Sequence, residues 1–386
     1  MNILIIARGI PSKKYPQLGC FELDQAKALK KAGHNVRMIA LDGSIGKRWK
    51  KIGITKKDIE GILCFELFGP PTVFIRKFIG LKKGLDIEIK LYKILVNKIL
   101  QDGWKPNIIH AHYLQPIYIG TNIKNMIKAP LIGTEHLSNV TKNLIEKEIL
   151  SLIKLTYPNV NEQIAVSETL KNKIKEYSSK DSVVIHNLID TSKLLPALEK
   201  TNNNCFTIVA VGSLIKRKGF DILIDAFSKS YLKDLNVIVK IIGGGKEQIN
   251  LQNQINQNRL QDKIKLVGTM TKPEVFNELH NADLFVLPSR LENFSVAIIE
   301  ATANGLPTIA TLCGGVEEYP VKEVKKIQKE NVDELREALE EMYEKRESFD
   351  RKSIQSQTLK YFSPEVIVKQ LEELYHKTID EYKKNG

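Results

Sequence analysis

At 386 residues the chain is longer than one hydrophobic core usually organises, which favours two domains, and its 42% apolar and 27% charged residues are the balance of a soluble globular protein. No apolar run is long enough to span a bilayer. The net charge of +13 sits in the first half, where residues 1–200 hold 32 Lys and Arg against 18 Asp and Glu; with no RNP, zinc-finger or helix-turn-helix pattern, nucleic acid is not expected, and an anionic membrane surface or an acidic acceptor held there fits the one-sided charge.

Along the chain, strand and helix patterns alternate. "NILIIARG" reads as a first strand and not as a signal peptide, since it lacks a basic leader and its apolar run is short. "FELDQAKALKKAG" follows as an amphipathic helix stopped at Gly33, and "HNVRMIALD" as the next strand. "PNIIHAHY" and "PLIGTEH" are strands whose C-terminal ends carry His112 and His136; "EQIAVSETLKNKIKEY" is a strand, an N-cap at Ser167 and a helix. Composition turns polar at "TNNN", Thr201 to Asn204, where the linker is placed. The alternation then restarts with strands "CFTIVAVGS", "NVIVKIIGGG", "KIKLVGT", "DLFVLPS" and "PTIATLC" between helices "FDILIDAFSKSY", "PEVFNELHNA" and one opening at Ser295. Ile367, Leu371, Leu374, Tyr375, Ile379 and Tyr382 form an apolar stripe on a last helix. The expectation is α/β, with two doubly wound, Rossmann-like domains facing a cleft. Cys20, Cys64, Cys205 and Cys313 lie far apart without a CxxC, so neither zinc nor a disulfide framework is expected and a reducing cytoplasm fits.

Open parallel sheets bind ligands beyond the C-terminal ends of their strands, so the strand-end residues matter most. They include the Arg8–Gly19 loop, His112, His136, "GSLIKRKG" (Gly212–Gly219), "GGGK" (Gly243–Lys246), "PSRLENFS" (Pro288–Ser295) and Gly314–Gly315. "GSLIKRKG" reads either as a phosphate-binding turn or as a solvated basic one, and the glycines read equally as turn formers. His110 and His112 share a strand face, but no carboxylate or cysteine stands at ligand spacing, so no metal is expected. A dinucleotide GxGxxG after the first strand and a GxxxxGK[ST] anywhere are both absent.

The stretch "SRLENFSVAIIEATANGLP" sets Glu300 among Ile298, Ile299, Ala301 and Ala303, where a buried charge needs a hydrogen-bonding partner. Glu292 precedes the helix that Ser295 opens. On one straight helix, eight residues separate the two by about 12 Å, against roughly 5 to 5.5 Å for a retaining hydrolase pair. They are better placed to grip different parts of one long ligand, with a helix N-terminus aimed at an anion between them. A nucleotide sugar has that layout, with a ribose diol for Glu300, a diphosphate for the helix amides and Lys218, and a sugar for Glu292.

In order, "GCFELDQAKALKKAGHNV", "GTEH", "IAVSETLK", "IHNLID", "VGSLIKRKGFDILIDAF", and the Glu292-x7-Glu300 pair followed by "GLP" and "GG" resemble the retaining family 4 glycosyltransferases of the GT-B fold, in their bacterial surface-polysaccharide form. The resemblance covers nearly the whole chain. It implies an acceptor-binding domain over 1–195, a donor-binding domain over 205–365, and a C-terminal helix, about 366–386, that crosses back to the first. It assigns the ribose hydroxyls to Glu300, the transferred sugar to Glu292 and His136, and the diphosphate to Lys218, to the backbone at Phe294 and Ser295, and to the Gly19 loop. Ser213 stands where the family usually has Arg, and Arg217 is the expected substitute. The implied chemistry is transfer with retention, from a nucleotide-diphosphate sugar to a glycan or lipid-linked glycan, without metal or other cofactor. Two rivals remain: another GT-B class, an epimerase or a phosphorylase, and a non-catalytic nucleotide-sugar-binding protein.

Between Gly46 and Lys98 stand 13 Lys and Arg against 5 Asp and Glu, interleaved with Trp49, Phe74, Ile75, Phe78, Ile79 and Leu81. This region reads either as a solvated helical face or as a peripheral contact with the inner face of the cell membrane, through residues such as Lys50, Lys51, Lys82 and Lys83.

Overall fold

The structure is a computed structural model that describes residues 1–12, 15, 18–42, 53–136, 145–196 and 205–385. In chain order the first part runs β1 (Asn2–Ile6), α1 (Cys20–Lys31), β2 (Asn35–Asp42), β3 (Gly53–Ile59), β4 (Ile62–Phe68), α2 (Thr72–Ile79), α3 (Leu81–Leu100), β5 (Ile108–His112), α4 (Leu114–Ile127), β6 (Leu131–Glu135), α5 (Lys147–Thr156), β7 (Glu162–Ala165), α6 (Glu168–Ser178) and β8 (Val183–Val184). The second runs β9 (Phe206–Val211), α7 (Phe220–Lys229), β10 (Val237–Ile242), α8 (Gln248–Gln257), β11 (Ile264–Gly268), α9 (Lys272–Asn281), β12 (Leu284–Leu287), α10 (Val296–Ala303), β13 (Thr308–Leu312), β14 (Val324–Gln328), α11 (Val332–Glu344) and α12 (Arg351–Phe362), and the chain ends with α13 (Pro364–Asn385).

Two compact units result: Met1–Leu188 with Pro364–Gly386, and Ile189–Ser363. The linker expected at Thr201–Asn204 lies outside the described residues. The first unit holds an eight-stranded sheet in the order β3-β4-β2-β1-β5-β6-β7-β8, parallel except for the β3–β4 pair. The second holds a parallel six-stranded sheet in the order β11-β10-β9-β12-β13-β14. In each, the chain starts in the middle and winds first to one side and then to the other, so the order reverses between β1 and β5 and between β9 and β12. That is where an open parallel sheet parts its loops to admit a ligand.

The expected helix stops and starts are present. Gly33, at φ 91°, ends α1 with its N–H on the Lys30 carbonyl, and the Ser167 hydroxyl accepts the Leu170 N–H to cap α6. The C-terminal stripe packs as expected: Ile367, Leu371, Leu374 and Tyr375 of α13 are buried in the first unit's core, together with Val368.

The segment 53–68 departs from the sequence reading, which treated it as part of one basic stretch. It is an antiparallel hairpin, turned by Glu60 (φ 51°) and Gly61 (φ 82°), whose Gly61 N–H is held by the Asp58 carboxylate at 2.7 Å. Two successive positive φ angles make the turn that matches the twist of paired strands. Glu-Gly is an uncommon pair for it, and β3 is largely exposed, so neither signal was legible.

Tyr375 also anchors α13 through a polar contact, since its hydroxyl lies 2.6 Å from His110 Nδ1 on β5. Tyr375→Phe should cost about 1 kcal/mol for the lost bond, and Tyr375→Ala about 3 to 5 kcal/mol for an aromatic removed from a core. Urea unfolding followed by tryptophan fluorescence measures both, because Trp104 is buried in the first unit. Equal costs for the two variants would show that the ring contributes nothing beyond its hydroxyl.

Candidate active site

In the second unit, the loops after β9 and β12 meet beside the strand-order reversal. The chain leaves β9 through Gly212 and Ser213, turns through a short 3-10 helix at Lys216–Lys218, and enters α7 at Gly219. Gly219 has φ 67°, and a Cβ there would stand 1.9 Å from the Pro288 carbonyl oxygen, so only glycine lets the two loops approach this closely. Gly314 does the same after β13: at φ 135°, a Cβ would stand 1.9 Å from the Glu292 carbonyl oxygen.

Glu292 is thereby fixed in a buried position, 6% exposed, with its N–H on the Cys313 carbonyl at 3.0 Å. Its carboxylate accepts the Ser289 hydroxyl at 2.7 Å, Lys218 Nζ at 2.5 Å and Arg217 Nη1 at 3.3 Å. Burial pushes its pKa up, but the charges of Lys218 and Arg217 outweigh burial and leave the group below its ordinary value, ionised at neutral pH. Three expected site residues, Arg217, Lys218 and Glu292, are therefore one ion cluster. Ser289, three residues before Glu292, belongs to it and was not singled out from the sequence.

The sequence reading of Glu300 needs correction. Glu300 is half-buried, whereas Glu292 carries the buried charge. Helical geometry explains this: Val296, Ala297 and Glu300 share one half-buried side of α10, while Ile298, Ile299, Ala301, Thr302 and Ala303 turn inward. The apolar neighbours of Glu300 in sequence are not its surroundings in space.

Ser295 occupies the N-cap position of α10, but its hydroxyl makes no capping bond, contrary to the sequence reading; its carbonyl accepts the Tyr319 hydroxyl at 2.6 Å. Phe294 is buried and stacks on Tyr319, with ring centroids 4.9 Å apart. Ser213 is exposed, one residue before buried Leu214.

The other two expected residues lie in the first unit. Gly19, at φ 79°, precedes α1, and a Cβ there would stand 2.0 Å from the Gly9 carbonyl oxygen. His136 follows β6 in a column of rings: His110 stacks on His112 with centroids 4.3 Å apart, His112 on His136 at 5.4 Å, and Phe21 on the far side at 6.4 Å. His112 Nδ1 and His136 Nε2 are 3.1 Å apart, which requires one to donate and the other to accept. Gln25 Nε2 donates to His110 Nδ1 at 3.0 Å, so His110 carries its proton on Nε2 and donates it to Thr134 Oγ1 at 2.6 Å. Burial pushes His110 and His136 down to about 3 and His112 well below its ordinary value, so the column is neutral at physiological pH. Tyr113, beside His136 at 4.6 Å, has φ 71°, a strained backbone for an aromatic residue. Among the described residues, no three His, Cys, Asp or Glu side chains are arranged to hold a metal ion.

The family description "Glycosyl transferases group 1" matches residues 192–358, and "Glycosyltransferase Family 4" matches 23–193. An uncharacterized glycosyltransferase of Methanocaldococcus jannaschii is 32% identical over 297 residues, 74% of this chain and 80% of that protein. The phosphatidylinositol N-acetylglucosaminyltransferase GPI3 subunit of Saccharomyces cerevisiae is 25% identical over 320 residues, 79% of this chain and 67% of that one. Sucrose-phosphate synthase from Thermosynechococcus elongatus, a solved structure, is similar with a TM-score of 0.79 over 98% of this chain and 99% of that one, at 18% identity. The fold is thus GT-B.

The neutral histidines make the first unit sensitive to acid. An unfolded imidazole binds a proton below about pH 6.5. The folded rings of His110 and His136 do so only near about 3, so their contribution to stability is complete above the unfolded value and is lost as pH falls toward the folded one. Each excluded proton steepens the loss by about 1.4 kcal/mol per pH unit. His112→Phe should reduce the pH slope of unfolding free energy by about that amount between about pH 6 and about pH 4. The measurement is urea unfolding by tryptophan fluorescence at several pH values; an unchanged slope would mean that the folded ring already binds its proton.

Proposed function

We propose a donor, a stereochemical course and an acceptor for this chain from one premise: it belongs to the group 1 glycosyltransferases. It uses a nucleoside-diphosphate sugar, transfers a hexosyl-type sugar with retention, and needs no metal. The observation that carries this reading is the Lys218–Arg217–Glu292 cluster beside the strand-order reversal. Two cations held at that point, close before the N-terminus of α10, form a preorganised positive region for a leaving diphosphate. Glu292 neutralises them while no ligand is bound, and its remaining role is to meet hydroxyls of the transferred sugar. Glu300, on the half-buried side of α10, takes the ribose diol. Backbone amides at Phe294 and Ser295, together with the Gly19 loop, complete the phosphate and sugar contacts.

In the reaction, the bond from the anomeric carbon to the diphosphate breaks with its electron pair on the phosphate oxygen. The acceptor hydroxyl bonds to that carbon on the same face, and the departing phosphate takes the hydroxyl proton, so no separate protein base is required. Lys218 and Arg217 stabilise the charge growing on the phosphate. His136, neutral at physiological pH, hydrogen-bonds the sugar without placing positive charge beside a carbon that is itself becoming positive.

For the acceptor we infer a lipid-linked glycan of bacterial surface-polysaccharide assembly, met by a cytoplasmic protein at the inner face of the cell membrane. The two readings of the basic stretch divide between helices. On α3, Leu85, Ile89, Leu95, Val96 and Ile99 are buried while Lys82, Lys83, Lys90 and Lys93 face solvent, an ordinary amphipathic helix. On α2, however, Phe78 is 74% exposed, and Phe74 and Ile79 are exposed with it next to Lys77. Phe74 and Phe78 touch each other edge to face, with centroids 5.1 Å apart. Aromatic rings facing outward beside lysines suit a headgroup layer. The yeast relative, named for phosphatidylinositol, supports a lipid acceptor. Trp49, Lys50 and Lys51 lie outside the described residues, and no helix among the described residues is long and apolar enough to cross a membrane.

A thermal-shift screen of UDP, GDP, ADP and CMP identifies the nucleotide by mass action. With it, Glu300→Gln should weaken nucleotide and nucleotide-sugar binding alike by about 1 to 3 kcal/mol, and Lys218→Ala should lower turnover about a hundredfold. Near wild-type turnover in Lys218→Ala would place the phosphate clamp elsewhere, and sugar released from the donor without an acceptor would favour an epimerase.

Vesicles containing anionic lipid should sediment the protein at low salt and release it at high salt, since exposed charges are screened over about 8 Å at physiological ionic strength. Lys77→Glu should weaken the low-salt binding, and Phe74→Ser with Phe78→Ser whatever persists at high salt. Equal sedimentation with neutral and anionic vesicles would leave a soluble acceptor.

A further inference from the structure

We propose that Arg290 and Asp221 are positioning residues that hold the Lys216–Lys218 turn so that Arg217 and Lys218 meet the donor's diphosphate; this rests on the donor reading above. Arg290 lies between the Ser289 and Glu292 positions of the β12 loop, yet it bonds to none of the Glu292 cluster's side chains. Its backbone N–H donates to the Arg217 carbonyl at 2.7 Å and its Nη1 to the Lys216 carbonyl at 2.6 Å, so one residue holds two successive carbonyls of the turn. Its guanidinium is fixed in turn by a two-point pair with Asp221 on α7, at 2.8 Å for both Nη1 and Nη2, and by Glu330 at 3.0 Å through Nε. Asp221 also holds Lys216 Nζ at 2.6 Å. Burial works against the ionised Asp221, but hydrogen bonds from Arg290 and Lys216 and their charges bring it down to about 2, so the pair stays charged at any working pH.

Packing leaves one side of the turn open. A cavity of about 280 Å³ bordered by Ile215, Lys216, Phe220, Asp221, Leu251 and Gln254 opens beside it. The bonds inside the turn are its own, from Lys218 N–H to the Ile215 carbonyl at 2.9 Å and from Gly219 N–H to the Lys216 carbonyl at 3.2 Å. They set its curvature; its direction is set by ties to the β12 loop, where Arg290 holds the backbone of the turn while Arg217 Nη1 reaches the Leu291 carbonyl at 2.7 Å and Glu292 holds the two cations. Direction is what a diphosphate site requires, because a charged donor displaced by 1 Å loses much of its effect. The two-point geometry belongs to a planar guanidinium and is not reproduced by an ammonium.

The test compares nucleoside diphosphate and monophosphate of the base that the wild-type protein binds, by calorimetry, in Arg290→Gln, Arg290→Lys and Asp221→Asn. A misaimed turn removes contacts to the second phosphate and leaves the nucleoside contacts intact. Arg290→Gln and Asp221→Asn should therefore weaken diphosphate binding about tenfold while monophosphate binding stays within about twofold, and Arg290→Lys should recover part of the loss. Turnover should fall in the same order. A general structural role predicts equal loss for both nucleotides, with a lowered thermal midpoint, and that result overturns the proposal; so does an unchanged diphosphate-to-monophosphate ratio. A wild-type protein that binds no nucleoside diphosphate overturns the donor reading itself. If Arg290→Gln does not fold, the ratios in Arg290→Lys and Asp221→Asn decide the matter alone.

Discussion

A carboxylate taken out of water costs several kcal/mol unless charges and hydrogen bonds meet it, and in this chain the second unit's strand-end loops are arranged around that requirement at Glu292. Lys218, Arg217 and Ser289 supply the partners, but they come from the loop after β9 and the loop after β12, which must approach within backbone contact. Gly219 and Gly314 are the positions where a side chain would prevent it. The ion cluster, the glycines and the parallel pairing of β9 and β12 at the reversal are therefore one constraint seen at three levels.

Much of the fold was legible because burial on both faces of a parallel sheet writes apolar runs such as "NILII" and "NVIVKII", and because helix ends carry local signals such as Gly33 and Ser167. The β3–β4 hairpin was not, because its outer strand is exposed and its turn uses Glu60 where a residue more tolerant of positive φ is usual. Arg217, Lys218 and Glu292 were each singled out from the sequence, but not the ion cluster that joins them. Sequence neighbours suggested that Glu300 was the stranded charge; a helix turns each neighbour about 100° away, and the loop residue Glu292 proved to be the buried one. Arg290 and Asp221, 69 positions apart, pair only through tertiary structure, and no local pattern announces them.

The first unit solves the opposite electrostatic problem. Its strand ends carry three imidazoles, yet burial, reinforced at His112 and His136 by neighbouring charge such as that of Arg8, keeps all three uncharged, with Tyr375 of α13 on the hydrogen-bond chain. The apolar stripe of α13 foretold which face of the helix is buried, and the family resemblance where it packs; the hydroxyl that ties it to β5 could not be read from spacing.

A breaking glycosidic bond makes opposite demands at its two ends. As the leaving diphosphate gains negative charge, cations lower the barrier; as the anomeric carbon gains positive charge, a cation nearby raises it. A protein that transfers sugars from nucleotides thus gains by concentrating permanent charge at the phosphate and by meeting the sugar with groups that hydrogen-bond while staying neutral. On the proposed reading, Lys218 and Arg217 take the first role, where protonation is assured, and His136, kept neutral by burial, takes the second. If His136 meets the sugar as proposed, a lysine there would keep the hydrogen bond but add charge at the wrong end of the bond, and turnover should fall while binding of the bare nucleotide stays unchanged.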